Sequence, residues 1–265
     1  MTRRIAVINE KGGSCKTTLT SNIGYYLARE HNKRVLLVDL DPQGQLGKVL
    51  GVDVGAARRT ALDLLLDALI GEDTRPALPV VRARHPNLDL VPSNKSLALF
   101  PAEVSERERD EYFCLRTALE RTRSYDFILF DAPPSFGSVT LNALLAANEI
   151  LLPVPLTYLG LDGAAEIVRT VEMVRERFDH PELQISLVVA TFARRTRMAR
   201  EILEKLRQHF PSQLSKTVLG YSVLIDEAQS RSQTIFEHAP RSSIAELLSD
   251  VANELLAVRP PGDIA

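Results

Sequence analysis

Short, almost wholly apolar runs recur along the chain and alternate with longer stretches in which apolar residues return every three or four positions. The clearest runs are 4–9, 34–39, 127–131, 149–154 and 184–191, with a weaker one at 87–91. Their unbroken hydrophobicity predicts strands buried on both faces, the habit of a parallel sheet. The periodic stretches predict helices over 16–30, 61–70, 107–123, 138–146, 162–178, 197–209 and 243–258. Within 162–178, for example, Ala165, Val168, Val171 and Val174 keep the spacing of one helical face. Strands alternating with helices predict an α/β fold, a doubly wound and mostly parallel sheet flanked by helices. Residues 71–86 are charged and turn-rich and read as a surface loop. The tail 259–265, opening Arg259-Pro260-Pro261, cannot continue a helix and reads as flexible, behind a single domain spanning 1–258.

Composition narrows the classes. A chain of 265 residues with 45% hydrophobic and 25% charged residues fits one large domain with a sizeable core. A formal net charge of -2 excludes a protein that coats nucleic acid with its whole surface, so any DNA contact must be a local patch. Two cysteines, Cys15 and Cys114, are too few for a disulfide framework or a cysteine-built metal centre, and point to a reducing, cytoplasmic setting. The longest apolar runs, such as 150–156, fall far short of the roughly 18 residues of a membrane span. Thr2-Arg3-Arg4 ahead of Ile5 to Ile8 is too short for a signal peptide and reads as the entry to the first strand.

The candidate chemistry begins at Lys11-Gly12-Gly13-Ser14-Cys15-Lys16-Thr17-Thr18, between a strand ending at Asn9 and a helix opening at Lys16. A strand, a glycine-rich turn and a helix N-terminus in that order make a phosphate cradle, because inward-facing N–H groups and the helix dipole favour an anion. Lys16 is placed to reach the β- and γ-phosphates, and Thr17 to offer a hard oxygen to Mg²⁺. Asp39-Leu40-Asp41-Pro42-Gln43 puts two carboxylates at a strand end. Tyr125 to Ser135 holds an apolar strand closed by Asp131. Each piece alone is a common structural feature; three in this order are a constellation.

These motifs resemble the ParA/MinD family of deviant Walker-A ATPases, closest to its small chromosomal, Soj-like partition members. The family pattern is Lys-Gly-Gly-x-Gly-Lys-Thr-Thr/Ser, followed by Asp-x-Asp-Pro-Gln. The resemblance implies that Lys11 to Thr18 bind ATP, with Lys11 reaching across an ATP-dependent homodimer to the partner's phosphates. It implies that Thr17, Asp39 and Asp131 hold the Mg²⁺ site and that Asp41 activates water. It further implies a ParB-type or other cargo-adaptor partner that stimulates hydrolysis. The chain departs from the pattern at Cys15, where the family has glycine; a Cβ there crowds the loop and strains the backbone. Weakened turnover through Cys15 would leave a nucleotide-binding scaffold acting through protein partners, the alternative reading.

Arg194, Arg195, Arg197 and Arg200 cluster where the family places an arginine–threonine pair used for non-specific DNA binding, here Arg195-Thr196. The resemblance implies a protein that is nucleoid-associated when ATP-bound. The competing reading is a solvated helix face, with Arg197–Glu201, Arg200–Glu204 and Glu201–Lys205 as ordinary four-residue pairs. A second departure falls at Gly220-Tyr221-Ser222-Val223-Leu224, where relatives carry basic residues; Arg231 and Arg241 lie later. The last helix carries Glu246, Asp250 and Glu254 and no basic residue, so a MinD-like membrane anchor is not expected. No helix-turn-helix extension precedes the first strand, so a repressor module is not expected either. Cys114 reads as a small buried hydrophobe, the five histidines show no metal-ligand spacing, and Asn142 reads as a surface position.

Overall fold

The computed structural model describes residues 2–69, 76–104, 109–120, 122 and 124–261. Among them, eight strands form one sheet: β1 (Arg3–Val7), β2 (Val35–Asp39), β3 (Val81–Arg82), β4 (Leu88–Val91), β5 (Phe127–Asp131), β6 (Glu149–Pro155), β7 (Gln184–Ala193) and β8 (Leu214–Gly220). Their order is β3-β4-β2-β5-β1-β6-β7-β8, parallel throughout except for the short β3–β4 edge pair. The helices are α1 (Lys16–Glu30), α2 (Gln45–Val49), α3 (Ala61–Asp67), α4 (Phe100–Val104), α5 (Cys114–Ala118) and α6 (Ser138–Ala146), followed by α7 (Tyr158–Arg177), α8 (Arg197–His209), α9 (Val223–Ser230), α10 (Ile235–His238) and α11 (Ser243–Ala257).

The doubly wound reading of the hydrophobic pattern holds. Successive strand residues alternate between two cores: Ala6, Leu36, Val38, Ile128 and Phe130 face one, and Ile5, Val7, Val35, Leu37 and Leu129 the other. Burial of both faces is what makes these strands continuous apolar runs rather than alternating ones. From β1 the chain builds outward through β2 and returns through β5, then crosses to the other side of β1 at β6. That reversal places the switch in winding direction beside β1, and the C-terminal strand ends at such a point are the usual ligand position in open α/β sheets.

Three expectations need correction. The helix expected over 107–123 is broken: a 3₁₀ turn covers Arg109–Tyr112 and α5 only Cys114–Ala118, while 105–108, 121 and 123 lie outside the described residues. Tyr112 and Phe113 turn their rings onto Phe178, at centroid distances of 5.8 and 6.1 Å, in place of a continuous helical face. Asn142 is buried, not surface. Its Oδ1 accepts from Leu115 N at 2.9 Å and its Nδ2 donates to the Glu111 and Ser138 carbonyls, so it caps the orphan N–H end of α5. The segment 71–86 is not all loop, since Val81–Arg82 forms β3; residues 71–75 lie outside the described residues.

Edge strand β8 escapes the hydrophobic pattern because its buried positions include Ser215 and Thr217 beside Leu219. Glu254 of α11 covers it, accepting from the Lys216 and Thr217 N–H groups and from Thr217 Oγ1 at 2.7 Å. The apolar face of α11, with Ile244, Leu248, Val251 and Leu255, is buried in the core. Among the described residues no helix is long and apolar enough to cross a membrane.

Candidate functional site at the C-terminal ends of the central strands

Adjacent strands β2, β5 and β1 bring the three sequence motifs to one place. Asp39 and Asp131 end β2 and β5 in register with each other, and Val7 pairs with Asp131 on the other side. The loop from Asn9 to Cys15 leaves β1 directly above them and feeds α1 at Lys16. Thr17, on the first turn of α1, donates its hydroxyl to Asp131 Oδ2 at 2.7 Å. Thr20, one turn later, lies 3.3 Å from Asp131 Oδ1.

Lys16 is 7% exposed, and its ammonium crosses the mouth of the loop to the carbonyls of Asn9 at 2.9 Å and Lys11 at 3.3 Å. Burial lowers its pKa, while Asp131 and Asp41 oppose that and favour the charge. Buried Asp39 accepts two backbone bonds, from Asp41 N and Leu46 N, both at 3.1 Å. It thereby fixes the turn that presents Asp41. Half-buried Asp41 accepts from Gln43 N through Oδ1 at 2.9 Å, and its Oδ2 has no hydrogen-bond partner among the described residues. Burial is the largest cause pushing Asp39 well above the usual carboxylate range, with Asp131 adding to it. Asp131, also buried, is raised to about 7, chiefly by burial and against the pull of Thr17 and Lys16. Two desolvated carboxylates side by side disfavour double ionisation, which is the condition a divalent cation relieves.

The donors fit a magnesium–nucleotide. They are hard oxygens, from one hydroxyl and the carboxylates beneath it. Ser14 Oγ is buried in the loop with no hydrogen-bond partner among the described residues, an unmet polar atom where a phosphate would lie. A Cβ built on Gly12 or Gly13 meets nothing within 4 Å, so the loop is open on that side. Asn9 is a site residue that the hydrophobic pattern reads only as a strand end. Its Oδ1 accepts from Lys11 N at 2.8 Å and its Nδ2 donates to the Pro153 carbonyl, tying the loop to β6. The signal was a lone polar residue at the exit of an apolar strand.

Comparison with known proteins gives the family. The AAA domain family matches residues 2–185. The chain is 34% identical over 258 residues to the sporulation initiation inhibitor protein Soj of Bacillus subtilis, covering 97% of this chain and 99% of that one. It is 38% identical over 263 residues to the chromosome-partitioning ATPase Soj of Thermus thermophilus, covering 96% of each. The chain belongs to the ParA/MinD family of P-loop ATPases. A solved relative, cobyrinic acid a,c-diamide synthase of Mycobacterium smegmatis with bound ADP and magnesium, superposes with a TM-score of 0.77 at 29% identity over the full length of both chains.

Against the ParA/MinD pattern, the departure at Cys15 is visible in the backbone. Cys15 sits at φ 74°, ψ 19°, next to Gly13 at φ 69°, so it occupies a left-handed conformation that glycine adopts freely. Its thiol is largely buried and pushed up to about 12, by burial first and Asp226 second. It therefore stays a neutral thiol at the head of α1. Cys114 is buried, as its sequence context predicts.

The arginine cluster lies at the same end of the sheet. Arg194, Arg195, Arg197 and Arg200 are all exposed, and Thr196 caps α8 by accepting from Ala199 N at 3.2 Å. Of the helix pairs expected there, Arg197–Glu201 forms at 2.7 Å. Arg200–Glu204 and Glu201–Lys205 do not form among the described residues; Glu204 instead pairs with Arg207 at 3.3 Å. The side chains of Arg194, Arg195 and Arg200 have no ion-pair partner among the described residues, so only one arginine of the cluster is neutralised in place. Arg231 and Arg241 are exposed as well, while Tyr221 and Val223 expose 62% and 57% of their surface where relatives were expected to be basic.

Proposed function

We propose that this chain is a ParA-like ATPase that binds ATP with Mg²⁺ in the loop after β1 and forms a homodimer in that state. The dimer binds DNA non-specifically and positions DNA or other cargo in the cytoplasm with a partner that stimulates hydrolysis. The observation that carries the reading is the convergence of Lys16, Thr17, Asp39, Asp41 and Asp131 at the ends of three adjacent strands. The relatives named Soj support its placement among partition ATPases rather than metabolic P-loop enzymes.

In the proposed reaction water attacks the γ-phosphorus as the bond to the β,γ-bridging oxygen breaks, giving ADP and phosphate. Asp41, with Oδ2 free, orients the water and draws on its proton. Lys16, already desolvated, offsets charge on the β- and γ-phosphates, where a fixed cation in a dry site acts most strongly. Thr17 would hold Mg²⁺ through its hydroxyl, and Asp131 and Asp39 would hold its water ligands; the ion supplies charge neutralisation at the phosphates. Lys11 is exposed at the loop, where it can reach a second copy. Phe136, Tyr158 and Leu159, exposed by 45%, 66% and 63%, surround the same end and supply apolar surface for that contact.

The test is nucleotide binding and hydrolysis by wild type, Lys16→Ala and Asp41→Ala. Wild type should bind ATP with Mg²⁺ and hydrolyse it slowly, Lys16→Ala should lose binding, and Asp41→Ala should bind while losing at least about ten-fold in kcat. A wild type that binds no nucleotide contradicts the reading. Cys15 motivates a second one, a nucleotide-binding scaffold with little turnover. A gain of about ten-fold or more in hydrolysis on Cys15→Gly would favour it, and little change would remove its basis.

A further inference from the structure

The stretch from α9 to α10 is strapped across the first turns of α1. Gln229 Nε2 on α9 donates to Thr18 Oγ1 at 3.0 Å. The backbone N–H of Ile235, opening α10, donates to buried Asn22 Oδ1 at 2.8 Å, and Asn22 Nδ2 returns to the Thr18 carbonyl at 2.8 Å. Phe236 anchors the strap further along α1, stacked on Tyr25 at 6.5 Å and packed on Tyr26 at 5.1 Å, with Arg29 donating to its carbonyl. Thr18 is thus held from two sides, through its carbonyl by Asn22 and through its hydroxyl by Gln229.

A hydroxyl that accepts a hydrogen bond from an amide has its own proton free to point elsewhere. With Gln229 supplying the bond, the Thr18 proton is turned away from α9 and can be donated to a phosphate oxygen in the loop. We infer that Gln229 is a positioning residue of the nucleotide site, which orients the Thr18 hydroxyl as a donor to bound nucleotide and couples α9 to occupancy of the loop. The inference rests on the nucleotide-binding reading above. A glutamine has no catalytic part here; it acts only through Thr18. The connection is also specific to side chains, since neither bond is a helix or strand bond that any sequence would supply.

The experiment measures affinity for Mg²⁺-ADP, and KM and kcat for ATP, in wild type, Gln229→Met, Gln229→Glu, Thr18→Ala and the double variant Thr18→Ala/Gln229→Met. Methionine keeps the length and helix preference of glutamine and cannot donate. Loss of one neutral hydrogen bond at the site should weaken ADP about five-fold and raise KM similarly, with a smaller fall in kcat. Glutamate draws the Thr18 proton to itself and adds charge beside the phosphates, so its loss should be at least about ten-fold. In the Thr18→Ala background, Gln229→Met should have no further effect on affinity, because the coupling runs through that hydroxyl. Unchanged thermal unfolding of Gln229→Met sets aside a folding effect. Wild-type affinity in Gln229→Met, or a loss that persists undiminished without the Thr18 hydroxyl, overturns the inference while leaving the nucleotide site standing. A wild type that binds no nucleotide overturns both.

Discussion

Cys15 holds a left-handed backbone at the head of α1, a conformation that costs an L-residue roughly 1–2 kcal/mol. Glycine there would release the strain but adds chain entropy worth about 0.5–1 kcal/mol in the unfolded state. Cys15→Gly should therefore stabilise the fold by about 1 kcal/mol or less, read as a small upward shift in thermal unfolding; a clear destabilisation would mean that thiol packing outweighs strain. Asp131 offers a sharper test. Its folded pKa, about 7, lies above the unfolded value of roughly 4, so the proton it retains stabilises the folded protein fully below pH 4. That contribution is lost as pH rises through about 7. Asp131→Asn, neutral at every pH, should stabilise the nucleotide-free protein at pH 8 by on the order of 1 kcal/mol or more and leave it nearly unchanged at pH 4. Equal effects at both pH values would show that Asp131 does not carry that proton. These residues were legible in the sequence because Lys16, Thr17, Asp39, Asp41 and Asp131 stand in a fixed order at strand ends. Asn9 and Gln229 were not, because their partners lie at Pro153 and Thr18, contacts that only the folded chain creates.

At the scale of elements, short local signals fixed some boundaries and long-range contacts fixed others. α1, α6 and α8 run over the predicted residues, and β5 does too. α7 starts at Tyr158 rather than 162, because Thr157 caps it, accepting from Gly160 N at 3.1 Å. Gly160 cannot carry a side chain: a Cβ there would lie 2.1 Å from the Pro155 carbonyl oxygen, a backbone atom that cannot swing aside. Gly160→Ala should destabilise the protein by on the order of 3 kcal/mol, lowering Tm by about 5–10 °C. A Tm within about a degree of wild type would show that β6 and α7 yield easily at this junction. β8 was the element hardest to read, since two of its three buried residues are the polar Ser215 and Thr217 and Glu254, far along the chain, completes its edge. α9 and α10, which form the strap over α1, likewise depend on tertiary bonds and carry little periodicity of their own.

For the whole molecule, the fold class followed from apolar runs alternating with periodic helices, whereas the strand order around β1 is visible only in the structure. The motifs at the exits of β1, β2 and β5 marked one end of the sheet as the candidate site, and the structure brings them together there. What the one-dimensional pattern left open was the state of the arginine cluster. The structure leaves Arg194, Arg195 and Arg200 without ion-pair partners among the described residues, a local cationic patch on a chain of net charge -2. Such a patch favours contact with a polyanion over self-neutralisation, and the affinity should fall steeply with salt. The measurement that bears most directly on the proposed switch is equilibrium DNA binding with ATP, ADP or no nucleotide, at two salt concentrations, in wild type, Asp41→Ala and Arg195→Ala. The switch predicts binding in the ATP state alone, weakened by salt, retained with ATP in Asp41→Ala and reduced several-fold in Arg195→Ala. DNA binding in no nucleotide state, by a protein that still binds ATP, would contradict it and make the Arg194–Arg200 cluster a solvated helix face.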